Sequence, residues 1–147
     1  MTVEELLEIE RIRALREAYA RCLDARDVAG LAELFCADAV AEFPDRLGGD
    51  CAGKDAIARN LLSRLAAAEL SPGTVHVVTN PWIILTGPDS ARGSCYLIDL
   101  QSPELPSPAS PVQLIGRYED EYRRVGENWR FTRIRMPLLW EQPAPRG

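Results

Sequence analysis

The chain contains a single histidine, His76, in the stretch TVHVVTNPWIIL (Thr74 to Leu85). Imidazole is the side chain best suited to take up and return a proton near neutral pH, so its setting is the first chemical question. The composition around it predicts a β-strand. Strict alternation puts His76, Val78, Asn80, Trp82 and Ile84 on one face and Val75, Val77, Thr79, Ile83 and Leu85 on the other. Both faces are largely apolar, so the strand is expected to be buried on both sides, and a buried imidazole needs a partner. Asp24, in YARCLDARD, is the candidate. It lies at the end of a helical stripe, where Asp27 is the better N-cap for the next helix, and so Asp24 has no local task. A carboxylate that accepts a hydrogen bond from one imidazole nitrogen fixes the tautomer and leaves the other nitrogen free to take a proton. The competing reading is a core histidine that merely holds its strand, with Asp24 as a solvated helix-end carboxylate.

Other polar residues stand out beside this pair. Asp99 follows CYLI and shares a strand face with Gly93, Cys95 and Leu97, small residues that would leave room for a ligand. Tyr19 lies on the apolar stripe of the first helix, where its hydroxyl could donate to a substrate while its ring packs in the core. Arg133 and Arg135 alternate on one face of the last long strand, a pattern usual for a solvated sheet face. Trp82, Met136, Leu138 and Trp140 are candidates to line or close a pocket.

The elements that must carry these residues are legible in outline. Thr2 and Glu5 have capping-box spacing, and Ile9, Ile12, Leu15, Tyr19, Cys22 and Leu23 continue with a helical period to about Asp24. A short second helix is expected over Asp27 to Cys36, a short strand at AVAEFP, a loop at DRLGGDCAG, and a third helix in KDAIARNLLSRLAAAEL, stopped by SPG. Four strands then follow: Thr74 to Leu85, Ala91 to Leu100, Val112 to Arg124 and Asn128 to Met136. The turn signals TGPDSARG and VGEN make them antiparallel hairpins. QSPELPSPASP is a long surface loop between sheet partners, and the tail PLLWEQPAPRG begins apolar and ends in a disordered tip. Helices first and strands afterwards give an α+β layout, with three helices covering one face of a curved antiparallel sheet.

At 147 residues the chain suits one domain, residues 1–136, followed by a tail, 137–147. A net charge of -5 argues against a general nucleic-acid binder. No apolar run approaches a membrane span. Four widely spaced cysteines make no metal pattern and read as reduced thiols of a cytoplasmic protein. No phosphate-binding glycine loop or metal-ligand cluster is present, so neither cofactor nor metal is expected.

Taken together, YARCLDARDVAGLAELFCADAV, VHVVTNPWIIL and LIGRYEDEYRRVGENWRFTRIRM resemble the SnoaL-like family of the nuclear-transport-factor-2-like superfamily, over about Glu4 to Met136. The resemblance implies a cone-shaped α+β fold with the sheet wrapped around the three N-terminal helices and an internal cavity. It is nearest in pattern to the branch of scytalone dehydratase, bile-acid 7α-dehydratase and hexachlorocyclohexane dehydrochlorinase. That branch implies an Asp24–His76 pair as the proton-abstracting machinery, with Tyr19 and Asp99 matching further polar positions and a trimer or dimer as the assembled state. Relatives often carry an arginine five residues after the tryptophan of the last strand, where this chain has Ile134. Either a bulge brings Arg133 or Arg135 inward, or the cavity lacks that cation and is more apolar. The function expected is a cofactor-independent lyase of dehydratase type acting on a small apolar substrate. The alternatives are a polyketide or terpenoid cyclase or double-bond isomerase of the same family, and a non-enzymatic ligand-binding or assembly domain.

Overall fold

The computed structural model describes residues 1–67, 74–101 and 112–143. Thr2 caps helix α1 (Val3–Ala25): its hydroxyl accepts from the Glu5 amide at 3.1 Å, and the Glu5 carboxylate accepts from the Thr2 amide at 2.7 Å. The helix stops where Arg26 turns left-handed, at φ 58°. Asp27 then caps α2 (Val28–Glu33) by accepting from the Gly30 amide at 2.9 Å. Asp24 is therefore spared from capping.

The second helix is shorter than its sequence suggests, because Phe35 and Cys36 already belong to strand β1 (Phe35–Glu42). A single 3₁₀ turn (Asp45–Leu47) and a two-residue strand β2 (Cys51–Ala52) lead to α3 (Lys54–Ala67). The remaining strands are β3 (Thr74–Gly87), β4 (Ser90–Gln101), β5 (Val112–Val125), β6 (Asn128–Arg135) and β7 (Leu138–Glu141). The end of the third helical segment, most of the Pro/Ser-rich link and the chain's tip lie outside the described residues.

The sheet order is β2-β1-β6-β5-β4-β3, with β7 also paired to β5. The long β5 serves both neighbours: Leu114 to Gly116 pair with β7, and Glu119 to Val125 with β6. The sheet is mixed, since β1 runs parallel to β6 while the other pairings are antiparallel. It curves around the helices, whose inward residues Ile12, Tyr19, Leu31 and Ile57 are among the most buried of the chain, together with Phe35, Tyr118, Phe131 and Ile134 from the strands.

Two irregularities decide which side chains enter this core. In β3 the pairing to β4 shifts between Thr79 and Trp82, where Asn80 has φ 53°. Asparagine tolerates a left-handed backbone, and Pro81 brings no amide to leave unpaired. The alternation is reset there: Thr74, His76 and Val78 point inward before the bulge, and Ile83 and Leu85 after it. Gly93 of β4 makes room for the detour, since a Cβ there would lie 2.7 Å from the Trp82 carbonyl oxygen. A second shift, in the β5–β6 pairing between Glu121 and Tyr122, leaves Thr132 as the extra residue, so Phe131 and Ile134 are both buried.

Candidate active site

The His76 ring and the Asp24 carboxylate meet at the junction of α1 and β3. His76 Nδ1 lies 2.6 Å from Asp24 Oδ1, and the His76 backbone amide donates to the same oxygen at 3.1 Å. One carboxylate thus grips both the main chain and the ring. With Nδ1–H donating to Asp24, the neutral imidazole carries its free lone pair on Nε2, the nitrogen left for a ligand. His76 is buried, and it lines a cavity of about 560 Å³ between α1, α3, the 3₁₀ turn and the inner face of the sheet.

Asp99 of β4 stands directly opposite His76 in the strand ladder and lines the same cavity. Residues so paired bring their Cβ atoms to within about 5 Å. Its Oδ1 is buried and has no hydrogen-bond partner among the described residues. Burial pushes the carboxyl pKa above its ordinary value; His76 pulls it down, the Asp24 charge adds to the rise, and Arg26 opposes it. The protonated acid is therefore favoured relative to an exposed aspartate.

Deeper in the cavity two phenols meet. The Tyr118 hydroxyl donates to that of Tyr19 at 3.4 Å, with the rings edge to face. Burial raises the pKa of both, so each keeps its proton as a hydrogen-bond donor. Beneath them Arg16 is buried against Tyr19, Tyr118 and Phe131, its guanidinium carbon 3.9 Å from the Tyr118 ring centre. It is neutralised by Asp120, to which Nη2 donates at 2.5 Å and Nε at 3.2 Å. Met136 reaches the cavity by packing over Gly116, where a Cβ would lie 2.4 Å from the Met136 sulfur.

Of the residues singled out from sequence, Tyr19, His76, Asp99 and Met136 line this one cavity, with Asp24 against His76. Trp82, Arg133 and Trp140 do not. Trp82 follows the β3 bulge and so turns to the outer face, 52 % exposed. Arg133 is exposed and paired with Glu42 at 2.6 Å, because the β5–β6 bulge leaves Ile134 as the inward residue; Arg135 is likewise outside, paired with Glu119. Trp140 pairs with Ile115 in register and is exposed, and Glu141, Gln142 and Pro143 after it line the cavity instead. The space expected beside Gly93 and Cys95 is filled by core packing. Burial pushes the Cys95 thiol up to about 11, opposed by Arg16, which fits an inert core residue.

Sequence reasoning missed Tyr118, Arg16 with Asp120, and Arg64 of α3, which also lines the cavity. The signals were present. Gly116, Tyr118, Asp120 and Tyr122 alternate onto one face of β5, and Arg16 sits four residues after Ile12 and three before Tyr19, inside the apolar stripe. Among the described residues, no group of three or more His, Cys, Asp or Glu side chains is placed to hold a metal ion. Nor is any described helix long and apolar enough to cross a membrane.

The family model of the SnoaL-like domain matches residues 4–135. A proposed scytalone dehydratase from Novosphingobium aromaticivorans superposes with a TM-score of 0.81 at 22% identity, covering 100% of this chain and 94% of that one. A hexachlorocyclohexane dehydrochlorinase from Novosphingobium barchaimii gives a TM-score of 0.75 at 18% identity, covering 95% and 91%. A protein of unknown function from Mycobacterium tuberculosis gives 0.76 at 23% identity, covering 92% and 73%. No curated protein matches the sequence. At these identities the structural likeness carries the fold alone.

Proposed function

The chain belongs to the SnoaL-like domain family, and from that premise we propose that it is a cofactor-independent lyase, which removes a proton from carbon in a small, mostly apolar substrate and expels a hydroxyl group as water. The observation that carries this reading is the 2.6 Å contact from His76 Nδ1 to Asp24, with His76 itself on the cavity wall. His76 Nε2 takes the proton from the carbon next to a carbonyl. Asp24 keeps the ring in the required tautomer and stabilises the imidazolium that forms. As charge develops on the carbonyl oxygen, the Tyr19 hydroxyl, which itself accepts from Tyr118, is the nearby donor for it.

Asp99 supplies the second proton. With its carboxyl pKa raised by burial and directly opposite His76, it protonates the departing hydroxyl, so that carbon–hydrogen and carbon–oxygen bonds break, a carbon–carbon double bond forms and water leaves. The imidazolium then returns its proton to Asp99 and both groups are reset. An isomerisation would need His76 to give its proton back to carbon; a second carboxyl directly opposite it, with its pKa raised, favours elimination.

The test is a panel of small β-hydroxy ketones and β-hydroxy acids, followed by mass spectrometry for loss of water and by NMR in deuterated water for carbon–hydrogen exchange. His76→Ala should lower turnover by roughly 10²–10⁴-fold. Equal turnover by the wild type and His76→Ala would refute the mechanism.

A further inference from the structure

Among the described residues, two cationic side chains from outside the Asp24–His76 pair line the cavity, and only one of them has a counter-charge there. Arg46, on the 3₁₀ turn, is paired with Glu141 of β7 at 2.8 Å. Arg64, on α3, has no carboxylate within ion-pair distance among the described residues. Its Nε makes a long contact of 3.4 Å to the Asn60 carbonyl oxygen, and its guanidinium carbon lies 4.5 Å from the Phe43 ring centre. Its terminal nitrogens have no hydrogen-bond partner among the described residues. The groups that act on it electrostatically are Tyr19, Tyr118 and Cys51, and burial is the largest influence, lowering its pKa from the ordinary arginine value. The side chain is half-buried, so its charge has lost part of its water without gaining an anion in exchange.

The backbone also yields to this side chain. Gly48, after the 3₁₀ turn, has φ 103°, and a Cβ there would lie 2.7 Å from Arg64 Cδ. A left-handed glycine thus lets the arginine stem pass toward the cavity.

We propose that Arg64 is the anion-binding residue of the cavity and that the substrate is a carboxylate with an otherwise apolar body, its charged end held by the Arg64 guanidinium and its reacting carbon at His76. This rests on the reading of the cavity as the substrate site. The two other carboxylates of the lining leave the field to such a ligand: Glu141 is bound to Arg46, and Asp99 is inclined to hold its proton. A guanidinium presents two parallel N–H donors to a carboxylate, a geometry neither an amide nor a hydroxyl can match. The apolar part of the lining, including Leu23, Leu61, Leu97 and Leu114, suits the body of the molecule. The cation that β6 does not deliver is thus delivered by α3.

The experiment is calorimetric titration of the full chain with 3-phenylpropanoate and, separately, with its uncharged isostere 3-phenylpropanamide. The wild type should bind the acid roughly tenfold or more tightly than the amide, and the preference should shrink at high salt. Arg64→Gln should abolish the preference, and Arg64→Lys should keep part of it. His76→Ala should retain it in full, which separates this inference from the catalytic one: a preserved acid preference with no turnover of any hydroxy compound would sink the lyase reading and leave Arg64 standing. Equal binding of acid and amide by the wild type overturns the proposal. So does absence of acid binding at tens of millimolar, or an acid preference that survives in folded Arg64→Gln. If Arg64→Gln does not fold, the wild-type comparison and Arg64→Lys still decide.

Discussion

Among the described residues Arg16 and Asp120 form the most completely buried ion pair, each 3 % exposed, and the pair lies directly beneath the tyrosines of the cavity. Burial is the largest influence and works against the Arg16 charge, but Asp120 together with Cys95, Tyr122 and Tyr118 holds the guanidinium pKa above its ordinary value. Asp120 accepts from two guanidinium nitrogens and, at 2.8 Å, from the Tyr122 hydroxyl. Asp120→Ala would leave Arg16 charged in a shell of Tyr19, Tyr118 and Phe131 rings. Removing one partner of such a pair costs about 3–5 kcal/mol, a large share of a domain stability of about 5–15 kcal/mol. At a few degrees per kcal/mol, the melting temperature should fall by roughly 10 °C. Arg16→Met should cost a similar amount by stranding Asp120. The triple variant Arg16→Met, Asp120→Leu, Tyr122→Phe leaves neither a buried charge nor an orphaned hydroxyl, and should recover most of the loss. Urea unfolding followed by far-ultraviolet circular dichroism reads all three. Single variants that lose less than about 1 kcal/mol would mean that water reaches the pair and that the packing argument is wrong.

Three further outcomes follow from the same structure. Asp24→Asn should lose much of the effect of His76→Ala on kcat/KM, and the double variant should be little worse than the worse single, because the two groups act as a unit; additive losses would separate them. Asp99→Asn should abolish the acid step and also raise the melting temperature near neutral pH. Because burial holds the Asp99 pKa above the unfolded value, the stability it contributes is present below the unfolded carboxylate pKa and is lost as pH rises through the folded one; a stabilisation that is as large in acid as at neutrality would contradict this. The outer sheet face exposes Val75, Trp82, Ile84, Tyr96 and Trp140, an apolar patch suited to a second copy of the chain. Light scattering should report an oligomer that Trp82→Glu weakens, and a wild-type monomer at ordinary concentrations would remove this expectation.

Much of this was legible before the coordinates because local rules and global fold agree. Thr2 and Glu5 satisfy each other, Asp27 caps α2, and the hairpin strands begin and end within a few residues of their turn signals. Asp24 could be matched to His76 because it had no local task, and a polar group without one is free for a long-range partner. What alternation could not supply was its own interruption. One residue of slip moves a whole run of side chains to the other face, and β3 slips at Asn80–Pro81, so Trp82 turns outward while His76 stays in the cavity. The dipeptide carried a hint, since asparagine accepts a positive φ and proline forgoes an amide, but nothing local required the chain to use it. The parallel pairing of β1 with β6 was beyond reach for a different reason: it joins segments about ninety residues apart, and no turn connects them. The same bulge gives one strand two tasks. Its first half presents an imidazole to a carboxylate and a cavity, and its second half presents indole and isoleucine to the outer surface. A variant that deletes Pro81 would remove the extra residue, so that strict alternation by itself carries Trp82 outward and Ile83 and Leu85 inward, and the β3–β4 ladder would run without the shift. The inward imidazole and the outward indole share one strand because Asn80 and Pro81 between them absorb one step of the alternation.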